Sequence, residues 1–283
     1  MSVHDPVYLI TGATDGIGRA LAQALASSDA TLILHGRSAA KLAVVADEVR
    51  AASGSSDVHT VLADLASLEQ VAGLAAEVSE RFPALNVLIN NAGHLTDHRQ
   101  TSADGLELTF AVNYLAPYLL TRRLLPLLQQ NAPARIVNVA STAMGGGFVD
   151  FSDLQLEHDF EGWQAYANSK LMNILFSNVL AGQIAGSGVV SNSLCPGLID
   201  TNFFHTNNLF ADRYESMRGH MRTPEEGALV PLYLATAPEA GDINGEFFVR
   251  EGRDDRRAVP LNWNVPEAEQ LWQVSEELVS AWL

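Results

Sequence analysis

Tyr166 and Lys170 stand four positions apart in Tyr166-Ala167-Asn168-Ser169-Lys170, a spacing that puts both on one face of a helix. A free tyrosine titrates near 10, so it serves as a general acid or base near neutrality only if its phenolate is stabilised. A neighbouring ammonium can do that by charge. The chain has 17 basic side chains, and only Lys41 and Lys170 among them are lysines, so this pairing says more than it would in a lysine-rich chain. Ser141 closes the run Ile136-Val137-Asn138-Val139-Ala140, where its hydroxyl either caps a loop or, beside the tyrosine, serves as a donor to polarise a substrate carbonyl. Asn113 interrupts the apolar stretch Phe110-Ala111-Val112-Asn113-Tyr114. Asparagine is a poor residue inside a helix, so its presence there calls for a reason.

These side chains need a frame, and the hydrophobic pattern supplies one. Short apolar runs at Val7 to Thr11, Thr31 to His35, Val58 to Leu62, Val87 to Asn90, Arg135 to Ala140 and Val189 to Leu194 read as strands buried on both faces. Helix-period stretches lie between them at Gly16–Ser28, Ala39–Ala52, Leu68–Phe82, Leu106–Gln130 and Trp163–Ala185. Strict alternation predicts an α/β fold: a doubly wound, mostly parallel sheet of about seven strands with helices on both faces. No linker or repeat divides the chain, so residues 1–283 are expected to form one domain. Thr223-Pro224-Glu225-Glu226 reads as a helix start, and a last strand is expected near Glu246–Arg250. An amphipathic helix is expected over 266–282. Residues 198–222 show no clean period and are expected to form a mobile lid over a site. Phe203, Phe204, His205, Leu209, Phe210, Tyr214 and Met217 in that lid suggest an apolar or aromatic small molecule.

Directly after the first strand comes Thr11-Gly12-Ala13-Thr14-Asp15-Gly16-Ile17-Gly18. Glycines at a strand-to-helix turn let the backbone approach a ligand, and the helix N-terminus offers N–H groups to a phosphate. This is the place of a dinucleotide pyrophosphate. At the end of the second strand, Gly36 stands where NAD users place an acidic residue on the ribose hydroxyl, and Arg37 follows it. A guanidinium there suits a 2′-phosphate, so NADP is preferred over NAD, with Asp15 counting the other way.

The spacing TGxxxGxG, the Asp64-Leu65 pair after the third strand and Asn90-Asn91-Ala92-Gly93 after the fourth resemble the short-chain dehydrogenase/reductase family. Cys195-Pro196-Gly197-Leu198-Ile199-Asp200-Thr201 after the sixth strand resembles its Pro-Gly segment. The resemblance covers nearly the whole chain. It implies that Asn113, Ser141, Tyr166 and Lys170 form a catalytic tetrad, with Lys170 lowering the tyrosine pKa and Asn113 completing a proton relay. It implies cofactor contacts from Gly12, Thr14, Asp15, Gly16, Ile17, Gly18, Arg37, Asp64, Leu65, Asn91, Ala92, Gly93, Tyr166, Lys170, Pro196, Ile199 and Thr201. Phe151-Ser152-Asp153-Leu154, Trp163 to Tyr166, Ser169 to Asn173 and Leu271 to Ser275 are most similar to the retinol-dehydrogenase-like branch. The expected activity is NADP(H)-dependent interconversion of a carbonyl and an alcohol by hydride transfer. A cofactor-binding sensor or scaffold without turnover, and an epimerase or dehydratase of the extended branch, are the competing readings. In relatives the helices at 106–130 and 163–185 join copies, so a homodimer or homotetramer is an open expectation.

Composition limits the partners. Of 283 residues 47% are hydrophobic, and 33 acidic against 17 basic side chains give a net charge of −16, which argues against nucleic acid or an anionic membrane as partner. One cysteine, Cys195, excludes an intrachain disulfide, and it reads as a packing residue. The start MSVHDPVYLIT lacks the features of a signal peptide, no run of 18 apolar residues marks a membrane span, and a cytoplasmic protein is expected. His94 and His98 are spaced i, i+4 but lack a third ligand, so no metal site is expected.

Overall fold

The computed structural model describes residues 5–26, 30–53, 57–205, 208–251, 255–259 and 265–283. The first four residues, and Ser28 at the expected end of the first helix, lie outside the described residues, as do positions 206–207 of the expected lid.

The strands are β1 (Val7–Ile10), β2 (Thr31–Gly36), β3 (Asp57–Leu62), β4 (Val87–Asn90), β5 (Ala134–Val139), β6 (Val189–Cys195), β7 (Phe247–Glu251) and β8 (Asp255–Val259). They form one sheet in the order β3-β2-β1-β4-β5-β6-β7-β8. The first seven in chain order pair in parallel, and β8 adds an antiparallel edge against β7. Both β1 and β4 are buried along their whole length, as strands covered on two faces must be. The order reverses between β1 and β4, and a crevice opens at the carboxyl ends of the strands at that switch point.

Helices α1 (Gly16–Leu25), α2 (Ala39–Ser53) and α9 (Pro224–Thr236) cover one face. The other face carries α3 (Leu68–Arg81), α5 (Ala116–Gln130), α6 (Gly162–Gln183) and α10 (Val265–Val279). Helix α9 starts on a capping box, the Thr223 hydroxyl accepting from the Glu226 N–H while the Glu226 carboxylate accepts from that of Thr223. Helix α10 lies on α5 and α6, its Trp272 ring 5.1 Å from Tyr118 and 5.9 Å from Phe176. Tyr114 and Tyr118 hydrogen-bond Ser275 and Glu276 of α10, both at 2.6 Å. The part of α5 and α6 proposed to join copies is thus covered there by the chain's own last helix.

Three local features depart from the expected pattern. The helix expected from Leu106 begins as α4 (Leu108–Phe110), passes through a π-helical turn at Ala111–Leu115, and only then continues as α5. The 198–222 segment holds α7 (Asn202–His205), a 3-10 turn (Asn208–Phe210) and α8 (Tyr214–Arg218), each too short to show a helical period in sequence. The eighth strand, DRRAV, has no alternation to reveal it.

Candidate active site

A cleft of about 1200 Å³ runs along the carboxyl edge of the sheet, larger than the roughly 300–1,000 Å³ of a usual single-ligand pocket. It is lined by Ser141, Tyr166 and Lys170 and by every expected cofactor-contacting residue, from Gly12 through Arg37, Asp64, Leu65, Asn91 and Gly93 to Pro196, Ile199 and Thr201. Asn113 alone among the expected residues lies behind the wall.

The glycine-rich turn is built for close approach. Gly12 and Gly16 have φ of +66° and +51°, a region that suits glycine. A Cβ at Gly18 would fall 2.3 Å from the Gly12 carbonyl oxygen, and one at Gly12 2.9 Å from Ala92 Cα. Asn91 secures the turn from β4, its Nδ2 donating to the carbonyls of Thr11 (2.8 Å) and Gly12 (3.3 Å). Asp15 is the N-cap of α1, accepting from the Gly16 N–H at 2.8 Å. The turn and the helix N-terminus behind it fit a pyrophosphate in shape and in polarity.

Arg37 and Asp64 line the cleft together with His94. The His94 Nε2 is buried without a hydrogen-bond partner, and burial, then the Arg37 charge, lower the pKa of the ring, with Asp64 opposing. In sequence, the i, i+4 spacing of His94 to His98 is the only signal at this residue. Among the described residues no group of three or more His, Cys, Asp or Glu could hold a metal ion.

Ser141 does not belong to β5, which ends at Val139. It caps a 3-10 turn at Thr142–Gly146, its Oγ accepting from the Ala143 N–H at 3.1 Å. The same side chain lies near enough to the Tyr166 phenol to lower its pKa, and both residues line the cleft.

Tyr166 and Lys170 share one face of α6, as their spacing requires. The charge relation differs from expectation. Burial holds the Tyr166 phenol above its ordinary value, only partly offset by the neighbouring Ser141 side chain. Lys170, 3% exposed, is pushed down to about 8 by its own burial. Its Nζ donates to the Val139 carbonyl at 2.9 Å and lies 5.4 Å from the Tyr166 ring centroid.

The π-helical turn supplies the reason for Asn113. Its Oδ1 accepts from the His94 N–H at 2.6 Å, and its Nδ2 donates to the His94 carbonyl at 2.8 Å and to Ser169 Oγ at 3.0 Å. The Asn113 carbonyl accepts from Asn173 Nδ2 at 2.7 Å. Asn113 therefore ties the loop after β4 to α6, the helix that carries Tyr166 and Lys170. Asn90 and Asn138, paired in register on β4 and β5, are joined by a 2.9 Å bond, so asparagines do tie neighbouring strands. Cys195 is buried with Sγ 3.6 Å from Thr142 Oγ1.

Aromatic rings wall the cleft around the phenol. Trp163, one helical turn before Tyr166, stacks on it at 5.5 Å, and Phe203 lies 5.4 Å from it. Phe204 and Phe210 continue the wall at 4.8 Å from each other, and Trp163 meets Phe210 edge-on. In sequence, the signal for Trp163 is its i, i+3 spacing to Tyr166, which puts the two rings on one helix face.

The short chain dehydrogenase family pattern matches residues 6–211. Retinol dehydrogenase 14 of Homo sapiens is 34% identical over 98% of this chain and 87% of its own. A solved chain of an uncharacterised protein from Mycobacterium Paratuberculosis superimposes with a TM-score of 0.76 at 27% identity, over 99% of this chain and 95% of that one. A Beutenbergia cavernae chain, described as an NAD(P) dependent gluconate 5-dehydrogenase with NADP bound at low occupancy, gives 0.72 at 29% identity, over 88% and 96%. The chain belongs to the short-chain dehydrogenase/reductase family, in the branch similar to the retinol dehydrogenases, and is an NAD(P)-dependent oxidoreductase of alcohol or carbonyl groups.

Proposed function

We propose that this chain is an NADP(H)-dependent oxidoreductase that interconverts an apolar carbonyl compound and its alcohol, with Tyr166 as general acid and base. The observation that carries the reading is that Ser141, Tyr166 and Lys170 line one ring-walled cleft that runs on into the glycine turn. When bound, the dinucleotide supplies or takes the hydride at the carbonyl carbon. Ser141 donates to the carbonyl oxygen and holds it beside the phenol. Tyr166, protonated at neutral pH as its ordinary value near 10 dictates, can give its proton to the developing alkoxide, and the nearby Lys170 charge would stabilise the phenolate left behind. Lys170 anchors α6 against the end of β5, and Asn113 fixes that helix against the loop after β4.

Two observations favour NADP. Arg37 lines the adenosine end of the cleft, and a side chain at Gly36 would start 2.7 Å from Thr14 Cγ2, leaving little room for an acid that would bind a ribose hydroxyl. The rings of Trp163, Phe203, Phe204 and Phe210 support an apolar substrate.

Tyr166→Phe tests the assignment. Turnover of a hydrophobic aldehyde should fall on the order of 10²- to 10⁴-fold while NADPH binding, followed by its fluorescence, is retained. Unchanged turnover would sink the role given to Tyr166, and binding without turnover by the unaltered chain would favour a sensor.

A further inference from the structure

His35 sits next to last on β2, 2% exposed, where most of a sheet interior is aliphatic. Its ring lies under the glycine-rich turn. Nδ1 is 3.4 Å from the Gly12 N, placed to accept that N–H, and Nε2 is 3.1 Å from the Ala63 carbonyl oxygen. The two contacts together select one ring state. An N–H donor faces Nδ1 and an acceptor faces Nε2, which requires the neutral Nε2–H tautomer. Burial supports that state, pushing the ring pKa down to about 4 against the Ala63 bond and the Asp64 carboxylate, which both raise it. The backbone reinforces the side chain, since the His35 carbonyl accepts from the Ala13 N–H at 2.9 Å and the Gly36 carbonyl from that of Ala63.

Gly12 is thereby held from both neighbouring strands. From the β4 side Asn91 Nδ2 reaches its carbonyl, and from the β2 side the His35 ring receives its N–H. With that N–H taken from beneath, the peptide of Gly12 has one orientation, and the remaining turn is set for its ligand. The same ring spans to Ala63, directly before Asp64 and Leu65 of the cleft wall. One side chain thus bridges the ends of three strands, β1, β2 and β3, under the adenosine half of the cleft.

We propose that His35 is a positioning residue for the dinucleotide: its neutral ring sets the glycine-rich turn and the Ala63–Leu65 wall in mutual register without touching the ligand. The proposal rests on the reading that this turn holds a dinucleotide.

Three chains decide it: unaltered, His35→Leu, which keeps bulk but loses both polar contacts, and His35→Gln, whose amide can accept from Gly12 and donate to Ala63. NADPH and 2′,5′-ADP are titrated into each, and kcat and the carbonyl KM are read at saturating NADPH. His35→Leu should weaken both ligands about fivefold or more, the equivalent of one or two neutral hydrogen bonds. The carbonyl KM and kcat should stay within about twofold, and His35→Gln should recover most of the loss. Equal ligand affinity in folded His35→Leu, or a loss in His35→Gln as large as in His35→Leu, overturns the proposal. A second measurement needs no variant. Long-range ¹H–¹⁵N spectra of the unaltered chain at neutral pH should show an Nε2–H ring whose Nδ1 resonance moves when 2′,5′-ADP is added. An Nδ1–H ring, or an Nδ1 resonance that ignores the ligand, overturns the proposal. Failure of the unaltered chain to bind either ligand overturns the reading of the turn as well.

Discussion

The Asn202 amide Nδ2 lies 2.6 Å from the Asp15 carboxylate Oδ2 across 187 positions of chain, joining the root of the aromatic segment to the cofactor turn. The other Asp15 oxygen caps α1. Beside this bond, a Cβ at Gly16 would meet Thr201 Cγ2 at 2.9 Å, so the segment crosses the turn at van der Waals distance. Asp15, which counted against NADP when read as a charge, here acts as a structural acceptor.

Asn202→Ala should therefore loosen the crossing while sparing the core. We expect the dinucleotide off-rate, measured by stopped-flow displacement, to rise about threefold to tenfold, in keeping with loss of one bond to a charged group. The melting temperature should hardly move, because the bond is exposed. An unaltered off-rate would show that the contact does not restrain the ligand.

Lys170 is a buried ammonium with a carbonyl for a partner, and that arrangement should weaken the fold. Its folded-state pKa of about 8 lies below the ordinary 10.5. Between these values the unfolded chain binds more protons, so this group makes stability rise with pH across that window, and its cost is fully present below pH 8. Lys170→Met should be more stable than the unaltered chain at pH 7, by about 1–2 kcal/mol once the orphaned Val139 carbonyl is counted. The gap should close toward pH 10.5 while activity is lost. Urea unfolding at pH 7 and 10 checks it, and a less stable variant at pH 7 refutes it.

Arg37→Ala should raise the NADPH KM by about tenfold to a hundredfold, the worth of a charge-assisted contact of about 1.5–3 kcal/mol. The NADH KM should change by less than about twofold, since no phosphate stands at the 2′-position. Equal effects on both would remove the basis for the NADP preference.

Trp272→Ala should cost about 3–5 kcal/mol, as expected for emptying a buried aromatic site. The ring packs on Tyr118 and Phe176 and carries the Arg122 guanidinium 5.2 Å from its centroid. Urea unfolding gives the loss, and sizing chromatography shows whether uncovering α5 and α6 lets copies associate.

Much of this architecture is legible from residues alone because buried parallel strands are short, apolar and separated by helix-period runs. The candidate catalytic side chains are legible for a related reason: a Tyr-x-x-x-Lys pair is informative in a chain with two lysines. What escapes is whatever depends on distant partners. The π-helical turn is invisible in Phe110 to Leu115, although Asn113 hinted that something was unusual there. Its partners, the His94 backbone and Ser169, come from two other elements. The direction of the Tyr166 shift also escapes, since spacing reveals that Lys170 is near but not the burial that raises the phenol. His35 looked like one more residue of an apolar strand, because only the sheet order puts Gly12 and Ala63 on either side of it.

The aromatic wall has a consequence for how such a protein can diversify. Ser141, Tyr166 and Lys170 are fixed by the sheet edge and α6, whereas Phe203, Phe204 and Phe210 belong to a segment between β6 and α9 that contributes no strand to the sheet. On the proposed function, chemistry and clientele lie in separable stretches of chain, and exchange of residues 203–218, which leaves Thr201 and Asn202 on the glycine-rich turn, is expected to retarget the protein without rebuilding its reaction centre.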